Sequence, residues 1–176
     1  LPITEIIQPA LEPLVASFSK LRDNKVLLYA QFAQIVLILT ALILPISVFT
    51  VFNSEQIVHV LLGQQWAEYH KILAFFALAM IPIVMIQLLN QYCIAIGKVR
   101  SLFIFDLFSL VFTVFILFFS IGIEVEYFAL IRSSIIFILM AGLFVYVKTR
   151  TPISFLHLSR LISPILLIVL VAAQTK

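Results

Sequence analysis

The feature of this sequence that most restricts its fold is a pair of long segments without a charged residue. Residues 26–54 and residues 72–97 contain no Lys, Arg, Asp or Glu. Each segment exceeds the roughly 20 apolar residues with which an α-helix crosses a bilayer core of about 30 Å. The polar stretch 54–71 between them contains Gly63, which can turn the backbone. The pattern predicts a transmembrane hairpin with a loop at 54–71.

Composition extends this conclusion to the whole chain. Hydrophobic residues make up 64% of the 176 residues, and only 11% are charged, against about 25% in soluble domains. A soluble domain of this length has no interior large enough for so much apolar surface. We therefore expect an all-α, polytopic transmembrane helical bundle of about five spans. The predicted spans are 29–53, 72–96, 101–121, 127–147 and 161–176.

The apolar segment 1–16 contains three prolines and two glutamates. Proline kinks a helix and carboxylates are costly in lipid. The segment is therefore either the frayed tail of a preceding, truncated span or a broken helix that lines a cavity.

The distribution of basic residues predicts the orientation. Lys and Arg number three, one, two, none and three in the successive loops. Because basic loops stay in the cytoplasm, loops 17–28, 97–100 and 148–160 are predicted to be cytoplasmic. Loops 54–71 and 122–126 are then external. Basic residues in short loops between spans serve topology, so no nucleic-acid partner is expected.

Several short motifs occur in an order that resembles a known family. Leu44-Pro45 is followed by Leu61-Leu62-Gly63-Gln64-Gln65-Trp66 and then by Ala95-Ile96-Gly97-Lys98. Upstream lie Pro13-Leu14-Val15-Ala16-Ser17 and Leu21-Arg22-Asp23. Together they resemble the Wzx-type polysaccharide flippases of the multidrug/oligosaccharidyl-lipid/polysaccharide exporter superfamily.

The resemblance implies a function. It implies part of one lobe of a two-lobed transporter that moves undecaprenyl-pyrophosphate-linked repeat units across the bacterial inner membrane by alternating access. Residues 1–176 would then be a partial transporter domain, the C-terminal half of a longer chain. Its partners would be the lipid-linked oligosaccharide, membrane lipids and the N-terminal half. Two alternatives are a cation-coupled multidrug exporter of the same superfamily and a membrane-embedded polysaccharide polymerase or ligase.

The residues give no sign of enzymatic chemistry. His59, His70 and His157 lack the spacing of a zinc site, and no phosphate-binding loop or nucleophile motif is present. Cys93 lies inside a span. We therefore expect no catalytic residue, no metal and no cofactor.

Polar residues inside the spans are the candidate functional groups. Gln87, Asn90 and Gln91 are spaced i, i+3 and i+4, so they share one helix face. Amides in hydrocarbon need hydrogen-bond partners. These three either form hydrogen bonds to neighbouring helices, each stabilising the bundle by about 0.6 kcal/mol, or form a stripe that faces the sugars in a hydrated cavity.

Two charged residues also fall within predicted spans. Asp106 shares a face with Ser109 and Thr113; it either pairs with Lys98 or Arg100 or acts as a titratable group for proton coupling. Arg132 either extends to the outer headgroups or binds the substrate pyrophosphate, which guanidinium can grip with two hydrogen bonds. Their estimated depths differ by about 15 Å, so no salt bridge between Asp106 and Arg132 is expected.

The orientation can be tested with single cysteines in a Cys93→Ser background. An impermeant maleimide added outside should label cysteines at Gln64 and Val125, but not at Asn24 or Thr151, because only the first two lie in loops poor in basic residues. The reverse labelling pattern would overturn the predicted orientation.

Overall fold

The computed structural model describes residues 13–148, and all regular structure in that range is helical. The first helix, α1, covers 13–20 of the described chain. Asn24 caps the next, its side chain accepting a hydrogen bond from the Leu27 amide. The remaining elements are α2 (Lys25–Phe52), α3 (Ser54–Leu62), the 3-10 helix η1 (Gln64–Tyr69), α4 (His70–Ala95), α5 (Val99–Phe119) and α6 (Val125–Lys148).

Within residues 13–148, four helical segments are long and apolar enough to cross a membrane. The expected all-α, polytopic architecture is therefore confirmed. The predicted span 161–176 and residues 1–12 of the predicted tail lie outside the described residues. The four segments are Lys25–Phe52, Gln64–Ala95, Val99–Phe119 and Val125–Val147.

Helix α4 is the centre of the bundle, because α2 and α6 both pack along it. The buried Ser47 hydroxyl of α2 donates to the Ala77 carbonyl at 2.6 Å. The Ser133 hydroxyl of α6 donates to the Phe75 carbonyl at 2.9 Å. Small hydroxyl residues let membrane helices approach closely and join them by hydrogen bonds. The two serines therefore fix the position of both neighbours along α4.

One end of the bundle joins the two loops that the charge pattern assigns to the outside. The Lys71 ammonium lies 3.0 Å from a Glu126 carboxylate oxygen. This pair connects the first turns of α4 and α6, so both helices begin at the same end. Glu126, which the sequence placed in the external loop 122–126, instead lies in the first turn of α6 and has a basic partner. The side chains are 56% and 31% exposed, so the pair contributes at most about 1 kcal/mol.

The other end joins two of the predicted cytoplasmic loops. The Arg22 guanidinium lies against Gly97, with Nη2 3.6 Å from the position of an added Cβ. Gly97 has φ +75°, and the Lys98 amide bonds to the Cys93 carbonyl. This 6→1 bond is the Schellman arrangement that ends helices at glycine. It satisfies a carbonyl at the end of α4 and reverses the chain into α5.

Aromatic side chains fill the interior near this second end. Phe18, Phe32 and Tyr92 contact one another, with the Phe32 and Tyr92 ring centroids 5.1 Å apart. They come from α1, α2 and α4, so the cluster anchors α1 to the bundle. The Gln31 amide also donates to the Ser17 hydroxyl.

The stretch 54–71 differs from the predicted loop. Asn53 ends the helical run of α2, and α3 begins at the next residue. Gly63, at φ +94°, then separates α3 from η1. The polarity of the segment predicts a loop, but Val58 of α3 is buried beside α4. Tertiary packing, which local sequence does not show, stabilises this short helix.

Helix α5 lies at the edge of the bundle. Leu102 is its only buried residue, and its contact with α6 is close where Phe105 lies 3.6 Å from the position of a Cβ on Gly142. Its opposite face carries exposed aromatic residues, among them Phe118 at 68% exposure. A face of this composition on a membrane-spanning helix is suited to lipid.

The hydrogen bonds to α4 give a stability prediction with a matched control. Ser133→Ala should destabilise the bundle by about 0.6 kcal/mol, because it removes an interhelical bond. Ser134→Ala should have a smaller effect, since the Ser134 hydroxyl bonds to Leu130 within its own helix. Reversible unfolding in mixed micelles measures both; equal losses would contradict a specific role of Ser133.

Candidate functional site

The three candidate amides lie on the least buried face of α4. Residues spaced three or four apart along a helix share a face, and this stripe runs from Phe76 to Ile94 without a buried member. The faces toward α2 and α6 carry the buried residues, such as Leu88 and Cys93. The amide stripe therefore faces away from both neighbours. Its members are Phe76, Met80, Ile83, Gln87, Asn90, Gln91 and Ile94.

The amides have no hydrogen-bond partner within residues 13–148. The Oδ1 atom of Asn90 is inaccessible to solvent and unpaired there. Gln87 and Gln91, both half-buried, form no side-chain hydrogen bond to the described residues. Interhelical bonding to α2, α5 or α6 therefore does not account for these three residues. A buried amide without a partner costs roughly 1–3 kcal/mol, so Asn90 calls for a partner outside residues 13–148.

Asp106 lies on α5 at a depth similar to that of Asn90. Both residues are about two helical turns from the Gly97 turn, by the rise of an α-helix. Asp106 is exposed, whereas Ser109 and Thr113 on the same side of α5 are half-buried. No side chain in the described part of the chain pairs with the Asp106 carboxylate, so the expected pairing with Lys98 or Arg100 is not seen.

Arg132 lies about two turns inside α6. It flanks the face of α6 that packs on α4, three residues after the buried Ala129 and four before the buried Ile136. The side chain is half-buried and has no acidic partner among residues 13–148. A half-buried guanidinium without a counter-ion keeps its five N–H donors available for another acceptor.

The structure does not bring Arg132 together with the amides. The Ser133–Phe75 hydrogen bond places Arg132 level with the first two turns of α4. From Phe75 to Asn90, α4 rises about 22 Å. The candidates therefore form two groups at different depths: Arg132 near the Lys71 end, and the amides with Asp106 near the Gly97 end.

Two further polar atoms inside α2 also lack partners among residues 13–148. The Oε1 atom of Gln31 and the Oγ1 atom of Thr40 are buried and unpaired within the described residues. Both belong to α2, and Gln31 precedes Phe32, which contacts Tyr92 near the Gly97 end. The signal was present in the sequence, since each is a polar residue inside an uncharged span.

The chemistry that this arrangement supports is neutral hydrogen bonding. An amide presents both donors and an acceptor, which suits a ligand that carries many hydroxyl groups. In residues 13–148, no group of three His, Cys, Asp or Glu side chains lies close enough to hold a metal ion.

Comparison with known proteins relates the N-terminal part of the chain to a family of known role. Residues 1–71 match the model of a family described as polysaccharide biosynthesis protein. The matched stretch includes α1 to η1 and ends at Lys71, before most of α4. No curated protein and no solved structure matches the chain. The match supports a role in polysaccharide biosynthesis or transport, which agrees with the membrane architecture.

The unpaired amide of Asn90 gives a prediction about stability alone. Asn90→Leu should leave the free energy of unfolding unchanged or raise it, because an unpaired polar group is replaced by an apolar group of similar size. Thermal unfolding in detergent, with Leu88→Asn as the control that buries a new polar group, makes the measurement. A marked loss in Asn90→Leu would mean that the amide is bonded within the protein.

Proposed function

We propose that this protein is part of a flippase that moves lipid-linked oligosaccharide across the bacterial inner membrane by alternating access. The substrate is an undecaprenyl-pyrophosphate-linked polysaccharide repeat unit, carried from the inner to the outer leaflet. The family match of residues 1–71 supports the link to polysaccharide. The observation that carries the proposal is the stripe of amides on α4, which have no hydrogen-bond partner among the described residues.

In this proposal the amides bind the sugars. Gln87, Asn90 and Gln91 turn away from α2 and α6 and lack partners in the described bundle. Sugar hydroxyls both donate and accept hydrogen bonds, so they match amides better than an ionic or purely apolar ligand does. Because the stripe lies near the predicted cytoplasmic end, it would meet the sugars when the cavity is open to the inside.

Arg132 acts at a different stage of transport. It lies about 22 Å from Asn90 along the helix direction. A phosphate held beside the amides therefore cannot contact Arg132 at the same time. A guanidinium binds phosphate through two parallel hydrogen bonds, and this one has no acidic partner among residues 13–148. We therefore place Arg132 on the path of the pyrophosphate near the outer end.

Asp106 is the proposed coupling group. Carboxylates within membrane helices often take part in proton relays, and no described basic residue neutralises this one. It lies at the depth of the amides, so its protonation state can influence the same part of the cavity. The protein is proposed to be a transporter and not an enzyme, to use no cofactor, and to enclose its cavity together with the N-terminal half of a longer chain.

The test is complementation in the full-length transporter. Surface polysaccharide is measured in a strain that lacks its native flippase, with membrane abundance measured alongside. Arg132→Lys should be partly active, because lysine keeps the charge but loses the two-bond geometry. Arg132→Gln should be largely inactive at normal abundance. Normal polysaccharide in Arg132→Gln would remove this residue from the path.

The amide stripe is tested in the same strain. Asn90→Leu and Gln91→Leu together should reduce surface polysaccharide severalfold at normal abundance, because the sugars lose their hydrogen-bond partners. Gln34→Leu is the matched control, since Gln34 is an exposed amide on α2 outside the stripe. Full activity of the double variant, or equal loss in Gln34→Leu, would contradict the proposed role of the stripe.

A further inference from the structure

A pocket of about 880 Å³ lies at the end of the bundle where α4 begins. Its walls are α3, η1 and the first two turns of α4, with Val125 of α6 on one side. Every lining side chain except Gln65 is aliphatic or aromatic. The amides, Asp106 and Arg132 do not line it, so the pocket is separate from the proposed transport path.

The depth of the pocket identifies the medium that it meets. Trp66 is 48% exposed, and its ring centroid lies 6.0 Å from that of Tyr69. Tryptophan and tyrosine settle at the headgroup level of a bilayer. Leu73 and Phe76, which line the pocket, lie one to two turns further along the membrane-spanning segment Gln64–Ala95. The pocket therefore extends from the headgroups into the acyl region.

The outer surface of α3 continues this apolar environment. Val60, Leu61 and Leu62 are exposed, with Val60 at 78%, and Leu61 and Leu62 also line the pocket. A short helix with such a surface lies in the membrane interface with its apolar side chains toward the acyl chains. The pocket opens to the surface of the helices at this depth, so the hydrocarbon of the bilayer is available to fill it.

The charges around the pocket favour one class of headgroup. The two loops at this end contain four acidic residues and one basic residue. Lys71, next to the lining residue Ile72, pairs with Glu126, next to the lining residue Val125. The acidic excess repels an anionic headgroup and attracts an ammonium group. The Lys71 side chain is more than half exposed, so it is accessible to the phosphate of a lipid.

We propose that this pocket binds one acyl chain of a zwitterionic phospholipid from the leaflet at that end, with its ammonium group near the acidic loops. The lipid would support α3 and η1 against α4 and set the depth of this end in the membrane. The pocket would bind this lipid whatever substrate the protein transports.

The experiment uses the intact protein in vesicles that contain phosphatidylethanolamine with a photoactivatable group in the middle of one acyl chain. After illumination, the labelled peptides are mapped by mass spectrometry. Residues 57–76 should be labelled severalfold more than residues 103–119 of α5, which meet lipid on an open surface. The same probe with a phosphatidylglycerol headgroup should label residues 57–76 less.

Two variants narrow the pocket from opposite walls. Leu73→Phe on α4 and Leu61→Phe on α3 should each reduce the labelling of 57–76 severalfold and leave the α5 labelling unchanged, which also shows that the variant is folded. Leu78→Phe, on an exposed α4 position outside the pocket, is the matched control. The proposal would be overturned by any of three results. These are labelling of 57–76 no stronger than that of α5, equal labelling by the two headgroup probes, and labelling that neither variant changes.

Discussion

The structure depends on the absence of water from the bilayer core. Backbone amides and carbonyls that cross this layer must be paired within the protein, and four long helices pair them in the described chain. The same requirement acts at the helix ends and contacts. Gly97 lets α4 end with a hydrogen-bonded carbonyl. The hydroxyl groups of Ser47 and Ser133 donate hydrogen bonds to α4 carbonyls. In each case a polar group is placed where a partner already exists.

Against this background the unpaired polar groups become informative. Helix α4 packs on α2 and α6 through its buried faces, and the amides lie on the face directed away from both. The amides of Gln87, Asn90 and Gln91 have no partner in residues 13–148, whereas the two serines on the packed faces of α2 and α6 do. The contrast divides the polar residues into those that hold helices together and those that are free for a ligand or for another part of the protein.

Much of the fold follows from the sequence because the membrane selects spans by their length and hydropathy. Uncharged runs such as 26–54 predict spans through length and hydropathy alone. The helix at Ser54–Leu62 and the Lys71–Glu126 pair could not be predicted, because they depend on packing between segments distant in sequence. The amide face of α4 was predictable from spacing, but its direction was not, since periodicity does not say which face a neighbour covers.

The two ends of the bundle differ in a way that bears on direction. The Gly97 end is basic and holds the amides and Asp106; the Lys71 end is acidic and holds Arg132 and the apolar pocket. In the proposed transport, a substrate with a neutral glycan and an anionic pyrophosphate would meet amides in one half of the membrane. In the other half it would meet a guanidinium that has no acidic partner among residues 13–148. Because about 22 Å separates these groups, neither group contacts the whole substrate. Binding at one depth therefore does not prevent the substrate from moving to the other depth. A transport path needs this property, in contrast to a site that retains its ligand.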